Sequence, residues 1–244
     1  DITCDNTTAS VTLTATKGVG PLIYVITAPA SAIGNTTGAT SGIFTGLAPD
    51  TYMFRVTDAN GCYYNESFTI NPVTPITVSG TKIRDALGFG DNTGAIEFTV
   101  TGTTGFTYTI NGGTAIVGTS TINLINLTEG SYTIVVTDTS TGCTDTETIV
   151  IEEPAAALGL ELTATNVHCN NFESQITAVV TGGTLNYTFA AVTSGSAEPN
   201  AAAFASGNII TVNTNSGSNL FWDVYVKDAN GCIAMETVSI TADA

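Results

Sequence analysis

Basic residues are nearly absent from this chain. Five lysines and arginines stand against 21 aspartates and glutamates in 244 residues, a formal net charge of −16. A stripe of Lys and Arg that could track phosphates cannot be built from so few cations, which excludes nucleic acid as a partner. The same shortage excludes a basic patch for anionic lipid. Histidine is scarcer still: His168 is the only one, so no His-based metal cluster can form. A dyad with the adjacent Cys169 fails too, because neighbours in an extended strand point to opposite faces; His168 reads as solvent-facing. No apolar run approaches the roughly 20 residues needed to cross a bilayer as a helix, so no direct membrane insertion is expected. No long segment carries an apolar stripe of helical period. Ala201 to Ala205 is the best helical candidate, and it is short. Without helices there is no phosphate loop leading into a helix N-terminus. The start, Asp1-Ile2-Thr3-Cys4, lacks the pattern of a secretory leader, and the chain reads as a piece of something longer.

What is abundant is threonine, 46 residues of it, together with 25 glycines. The period is two. Val11-Thr12-Leu13-Thr14-Ala15, Thr107-Tyr108-Thr109-Ile110 and Val224-Tyr225-Val226 carry apolar residues at every second position. Thr on a wet face and Val, Ile, Leu or Tyr on a dry face describe half-buried strands. Asn60-Gly61, Asn111-Gly112 and Asn230-Gly231 mark turns between them.

Two blocks recur in register. Gly46 to Cys62, Asn126 to Cys143 and Ser218 to Cys232 each hold a strand, an Asp, a Gly-containing turn and a Cys. The Asp positions are Asp58, Asp138 and Asp228, and an aromatic stands six residues before each: Tyr52, Tyr132 and Trp222. Upstream, Thr14 to Gly18, Thr99 to Gly102 and Val179 to Gly182 lead into strands carrying Tyr24, Tyr108 and Phe189. Such periodic self-similarity marks a repeat architecture. Proline punctuates it at Asn71-Pro72-Val73-Thr74-Pro75 and at Glu152-Glu153-Pro154, giving expected units at 1–72, 73–154 and 155–244. Short strands at this density predict an all-β chain of three tandem immunoglobulin-like β-sandwich domains.

Cys4 lies 58 residues before Cys62, and Cys169 lies 63 before Cys232. These pairs are expected to be disulfides within their units, the alternative being buried free thiols; the first reading implies an oxidising, extracellular setting. The middle unit has Phe89-Gly90-Asp91-Asn92 where an early Cys should stand, so Cys143 is expected to be unpaired or joined to another chain.

Asp58, Asp138 and Asp228 each sit at a strand-to-turn junction, with Asp50 or Glu129 nearby in sequence. Calcium accepts such oxygen donors. The competing reading is an Asx-turn, in which the carboxylate accepts turn N–H groups; the absence of a run of alternating acidic ligands favours it. Glu152-Glu153 is a weaker calcium candidate at a joint. Tyr52, Tyr132 and Trp222 read as structural aromatics with the polar tip bonded to a nearby turn, as in a tyrosine corner. The remaining carboxylates are spread over turns and strand ends as a solvated surface, so no glycosidase pair is singled out. Asn6, Asn35, Asn65, Asn126 and Asn186 begin Asn-x-Ser/Thr sequences open to glycosylation.

Val56-Thr57-Asp58-Ala59-Asn60-Gly61-Cys62 followed by a strand resembles the signature of SprB-type repeats, which fill large surface adhesins of gliding Bacteroidota. Cys4, Gly18, Gly20-Pro21, Tyr24, Gly46-Leu47 and Tyr52 fit the same pattern in the first unit. In the third, Cys169, Gly182-Gly183, Phe189 and Asp228 to Cys232 fit, whereas the second lacks the early Cys and reads Asp138-Thr139-Ser140-Thr141-Gly142-Cys143. The resemblance implies an immunoglobulin-like fold, type IX secretion and a place on the cell surface. The expected function is structural or adhesive, without catalysis or cofactor unless calcium. Expected partners are further copies of the repeat and surface polysaccharide. The alternative is an array of carbohydrate-binding modules.

Overall fold

The computed structural model describes residues 2–168, 170–215 and 217–242. The strands, in chain order, are β1 (Ala9–Thr12), β2 (Ile23–Ala28), β3 (Ile43–Leu47), β4 (Asp50–Thr57), β5 (Tyr63–Ile70), β6 (Thr77–Arg84), β7 (Gly94–Thr101), β8 (Phe106–Ile110) and β9 (Ile116–Val117). They continue as β10 (Thr121–Leu127), β11 (Gly130–Asp138), β12 (Thr144–Ile151), β13 (Gly159–Ala164), β14 (Glu173–Thr181), β15 (Thr188–Thr193), β16 (Ile209–Asn213), β17 (Phe221–Lys227) and β18 (Ile233–Ser239). No α-helix occurs among the described residues. The helical candidate near Ala201 is a single 3-10 turn, Ala201–Ala203, opened by the Asn200 side chain, which accepts from the Ala202 N–H.

The fold is all-β. The sheets, in chain order, are β1-β3, β2-β4-β5, β10-β7-β6, β12-β11-β8-β9, β13-β14-β16 and β15-β17-β18. The chain divides into two compact units, Asp1–Ser79 with Phe98–Ile122 and Thr133–Glu147, and Gly80–Glu97 with Asn123–Tyr132 and Thr148–Ala244. This division runs through the strands of the central stretch and not at the two proline-rich joints.

The first unit holds a core of Val11, Tyr24, Ile26, Phe44, Leu47, Tyr52, Phe54 and Ile70. Alternation along β2 and β4 puts Tyr24 and Ile26, and Tyr52 and Phe54, on one face, where all four are buried. Each such aromatic contributes about 1.5–3 kcal/mol by leaving water. Phe98, Phe106, Ile134 and Val136 are buried in the same unit. In the second unit, Val167, Ile176, Val212, Val224, Val238 and Ile240 form one cluster and Ala178, Phe189 and Val226 another. Threonine does what its abundance implies: Thr51 and Thr69 meet hydroxyl to hydroxyl at 2.9 Å across β4–β5, as Thr77 and Thr101 do at 2.7 Å.

One register recurs. Tyr24 lies opposite Val56, Tyr108 opposite Val136 and Phe189 opposite Val226. In each case the Val stands two residues ahead of the recurring Asp. A single slip would turn every side chain to the wrong face, so the shared register is set by the buried pattern and not by chance.

Candidate functional site: the aspartate turns and the cysteines

The three aspartates build the same turn. Asp58 Oδ1 accepts from the N–H groups of Asn60 and Cys62, both at 2.9 Å, and its Oδ2 accepts from Val19 N–H at 3.2 Å. Asp228 repeats the set with Asn230 at 2.9 Å, Cys232 at 2.8 Å and Thr184 at 3.0 Å. Asp138 accepts from Ser140 N–H at 2.8 Å, Ser140 Oγ at 2.7 Å and Thr141 N–H at 2.7 Å. Its turn has one more residue before the Cys, which moves the third bond from the Cys N–H to Thr141. The backbone closes each turn as well: Asp58 N–H donates to Cys62 O, Asp138 N–H to Cys143 O and Asp228 N–H to Cys232 O.

Each carboxylate therefore does two things. It fills the Asx-turn, and at Asp58 and Asp228 it ties that turn to the loop that leads into the aromatic strand. The backbone follows the same route, with Ala59 N–H to Val19 O, Thr139 N–H to Gly105 O and Ala229 N–H to Thr184 O. The electrostatics agree. The Ser140 hydroxyl above all, helped by the Thr103 hydroxyl and Thr141 N–H, holds the Asp138 carboxyl well below the usual carboxylate range. The Val19 N–H, then those of Cys62 and Asn60, lowers Asp58. Among the described residues no group of three or more His, Cys, Asp and Glu comes together as a metal cage. The carboxylates of Asp58, Asp138 and Asp228 accept from turn N–H groups and, at Asp138, from the Ser140 hydroxyl.

The loop beneath each turn is glycine-bound for a reason. A Cβ on Gly183 would come within 3.1 Å of Asp228 Oδ2. Gly102 and Gly182 have φ of +82° and +65°, and a Cβ there would collide with the carbonyls of Pro75 and of Ala157. L side chains rarely adopt that backbone, and the preceding chain passes too close for any side chain.

The polar tips of the three aromatics donate to nearby backbone, and Tyr52 is the buried one. Tyr52 OH donates to Ala48 O at 2.8 Å and Tyr132 OH to Thr128 O at 3.0 Å, both four residues back. Trp222 Nε1–H donates to Asn219 O at 3.1 Å. Burial, with Asp50 nearby, pushes the Tyr52 hydroxyl pKa up. One polar anchor escaped the sequence reading. Asp223, in the middle of β17, is buried and accepts from Thr237 Oγ1 at 2.7 Å and Gly195 N–H at 3.0 Å. Those donors hold its carboxyl below the usual range, the Thr237 hydroxyl most of all. A charged residue between Trp222 and Val224 was the available signal.

The cysteines correct the sequence expectation. Cys4 is bonded to Cys143, so the expected Cys4–Cys62 pair does not form and Cys143 is not unpaired. Strand direction gives the reason. Ala9 at the start of β1 lies opposite Leu47, and β4 begins just beyond at Asp50 and runs to Thr57 before the turn that carries Cys62. Cys4 and Cys62 thus stand at opposite ends of a sandwich, separated by some eight strand residues, or about 25 Å; a disulfide needs Cα atoms within about 7 Å. The Cys4 end instead meets the Asp138 turn, where Cys4 N–H also donates to Thr141 O at 3.3 Å. Cys62 is free and exposed, and Cys232 is free and half-buried. Burial, then the Asp228 and Asp91 charges, pushes the Cys232 thiol pKa up. Cys169, expected as the partner of Cys232, lies outside the described residues. His168 is exposed.

Residues 162–190 match the SprB repeat family. The chain carries a SprB-type repeat. The matched span runs from β13 into β15 and contains Cys169, Gly182-Gly183 and Phe189. No curated protein matches the chain. Among solved structures, it is similar to the three N-terminal domains of the bacteriophage RB49 highly immunogenic outer capsid protein, with a TM-score of 0.48, 13% identity, and 97% of this chain and 94% of that one covered. It is also similar to the mouse nectin-like molecule 4 ectodomain, with a TM-score of 0.34, 12% identity and coverage of 97% and 94%. Against the N-terminal eight immunoglobulin domains of Down syndrome cell adhesion molecule, the TM-score is 0.40 at 12% identity; 97% of this chain spans 35% of that one.

Proposed function

We propose that this chain is a run of three immunoglobulin-like repeats, 1–72, 73–154 and 155–244, from a secreted bacterial cell-surface protein or extracellular filament, and that its work is mechanical and adhesive. The observation that carries this reading is the turn built three times around Asp58, Asp138 and Asp228, each with the aromatic strand in the same register. The SprB repeat at 162–190 supports it. Each of the three repeated aspartates is spent on hydrogen bonds that hold its turn, and at Asp58 and Asp228 on the adjoining loop, which suits a spacer. The Cys4–Cys143 bond suits an oxidising exterior. The net charge of −16 keeps neighbouring arrays apart in solution. Surface labelling of intact source cells with an antibody to the chain tests the reading. Labelling without permeabilisation is the expected result, and a signal confined to the cytoplasmic fraction refutes it.

Surface polysaccharide is a second partner of interest, because Tyr63 is largely exposed, with the Arg55 guanidinium 4.6 Å from its ring centre. A glycan array with the Tyr63→Ala chain as control separates a binding module from a spacer.

A further inference from the structure

We propose that Cys62 is one half of a disulfide joint: its thiol bonds the loop cysteine of another copy of this repeat, the position that Cys169 holds in the third. The inference rests on the repeat equivalence used for the proposed function. Each repeat has a loop position at a fixed distance ahead of its glycine block. Cys4 stands 14 residues ahead of Gly18, Gly88 stands 14 ahead of Gly102, and Cys169 stands 13 ahead of Gly182. Each repeat also has a turn cysteine that closes its aspartate turn: Cys62, Cys143 or Cys232.

Two of those turns show the pairing. The loop position of the first repeat is bonded to the turn cysteine of the second, Cys4 to Cys143. The loop position of the second repeat faces the turn cysteine of the third. It is glycine there, and a Cβ placed on Gly88 would lie 3.2 Å from Cys232 Sγ, close to the roughly 3 Å that disulfide bond lengths dictate. Polar contacts accompany both meetings. Cys4 N–H donates to Thr141 O at 3.3 Å, and Asn230 Nδ2 donates to Leu87 O at 2.8 Å. Thr141 and Asn230 each stand two residues before their turn cysteine. Loop position and turn cysteine therefore meet twice, once bonded and once with the loop thiol missing.

Cys62 is held by the same backbone clamp as the other two. Asp58 N–H donates to Cys62 O at 2.9 Å, as Asp138 N–H does to Cys143 O at 2.8 Å and Asp228 N–H to Cys232 O at 3.0 Å. Asp58 Oδ1 accepts from Cys62 N–H at 2.9 Å, as Asp228 Oδ1 does from Cys232 N–H at 2.8 Å. Two residues before Cys62 stands Asn60, the same residue type as Asn230. Its side-chain amide is the donor expected at the carbonyl ahead of the incoming cysteine. The Cys62 thiol is free and exposed, within reach of a second chain. Cys4 is already bonded to Cys143, which makes Cys169 the loop cysteine that a second chain brings. Loop of one copy to turn of the next is a head-to-tail contact, and it propagates into an open chain unless it closes into a ring.

The bond forms by thiol–disulfide exchange, with oxidised glutathione as the oxidant in the test. The Cys62 thiolate attacks one glutathione sulfur and the other leaves as a thiolate. The loop thiolate then attacks Cys62 Sγ and expels the second glutathione. Two protein thiols lose two protons and two electrons, and one glutathione disulfide becomes two thiols. On non-reducing electrophoresis the full chain should give dimers, trimers and longer species, and peptide mapping should return a 62–169 linkage. The series should vanish in Cys62→Ser and in Cys169→Ser and persist in Cys232→Ser. Asn60→Ala should slow it about threefold to tenfold, the worth of one hydrogen bond. The Gly88→Cys chain should lose the Cys232 thiol and yield a linked 88–232 peptide. Asp91 Oδ2 would lie 2.5 Å from the new Cβ, so Gly88→Cys is also combined with Asp91→Ala, which removes that carboxylate. Purified chain gives all these readouts, so they are independent of where the protein resides. Failure of the 88–232 bond in both variants, a wild-type chain that stays monomeric, or dimers joined Cys62 to Cys62 overturns the inference.

Discussion

Cys4 is bonded to Cys143, 139 residues further along the chain. The two belong to different sequence repeats, so the bond fastens the loop ahead of β1 to the Asp138 turn and not the two ends of one sandwich. A closure of that length removes much of the freedom of the unfolded chain. Replacing Cys4 with Ser should lower stability by about 2–5 kcal/mol, measured by denaturant unfolding without reductant. Peptide mapping of the native chain should return a 4–143 linkage. Native alkylation should modify Cys62 well before the half-buried Cys232.

The aspartate turns should behave as clamps. Asp228→Ala leaves the N–H groups of Asn230, Cys232 and Thr184 without their acceptor, with an expected cost of about 1–3 kcal/mol in chemical unfolding. Chelation by EDTA should leave the melting temperature unchanged, because the bonds that hold the turn come from N–H groups. A drop of several degrees on chelation would restore the calcium reading.

Acid should weaken the fold in a defined direction. The Ser140 hydroxyl above all depresses the Asp138 carboxyl below its ordinary value of 3.8, and Asp58 and Asp223 shift the same way. A carboxyl lowered in the folded state contributes stability that is fully present above the unfolded value and is lost as pH falls toward the folded one. Melting temperature should therefore fall below about pH 4. The Asp138→Asn chain, which keeps an acceptor oxygen but does not titrate, should show a shallower fall.

The two tyrosine corners can be read by removing one atom. Tyr52→Phe deletes the bond to Ala48 O while keeping the buried ring, and about 0.5–1.5 kcal/mol should be lost. Tyr52→Ala should cost about 3–5 kcal/mol, since it also opens a cavity in the core.

Glycines at similar φ should separate by what surrounds them. Gly46 has φ +71° with open space where a Cβ would go, so Gly46→Ala should cost only about 1–2 kcal/mol of left-handed strain. Gly182→Ala adds a collision with the Ala157 carbonyl to the same strain. Its melting temperature should fall further, in a side-by-side calorimetric comparison.

The strands, the repeating turn and the tyrosine corners were legible because each depends on residues close in sequence. Alternation in Val11 to Ala15, Asn-Gly after Asp58 and Asp228, and Tyr52 six residues before Asp58 fix backbone pairing and burial over short spans, where propensity and hydrogen-bond geometry suffice. The cysteine pairing was not legible. Both Cys62 and Cys143 follow a strand, an Asp and a turn, and spacing says nothing about which end of a sandwich each occupies. That depends on the direction of β1 against β3 and of β4 beyond it. The sequence by itself determined an all-β chain of repeated, self-satisfied turns. Only the tertiary structure decided that Cys4 reaches Cys143, because that bond follows from long-range packing, which sets which loops and turns meet.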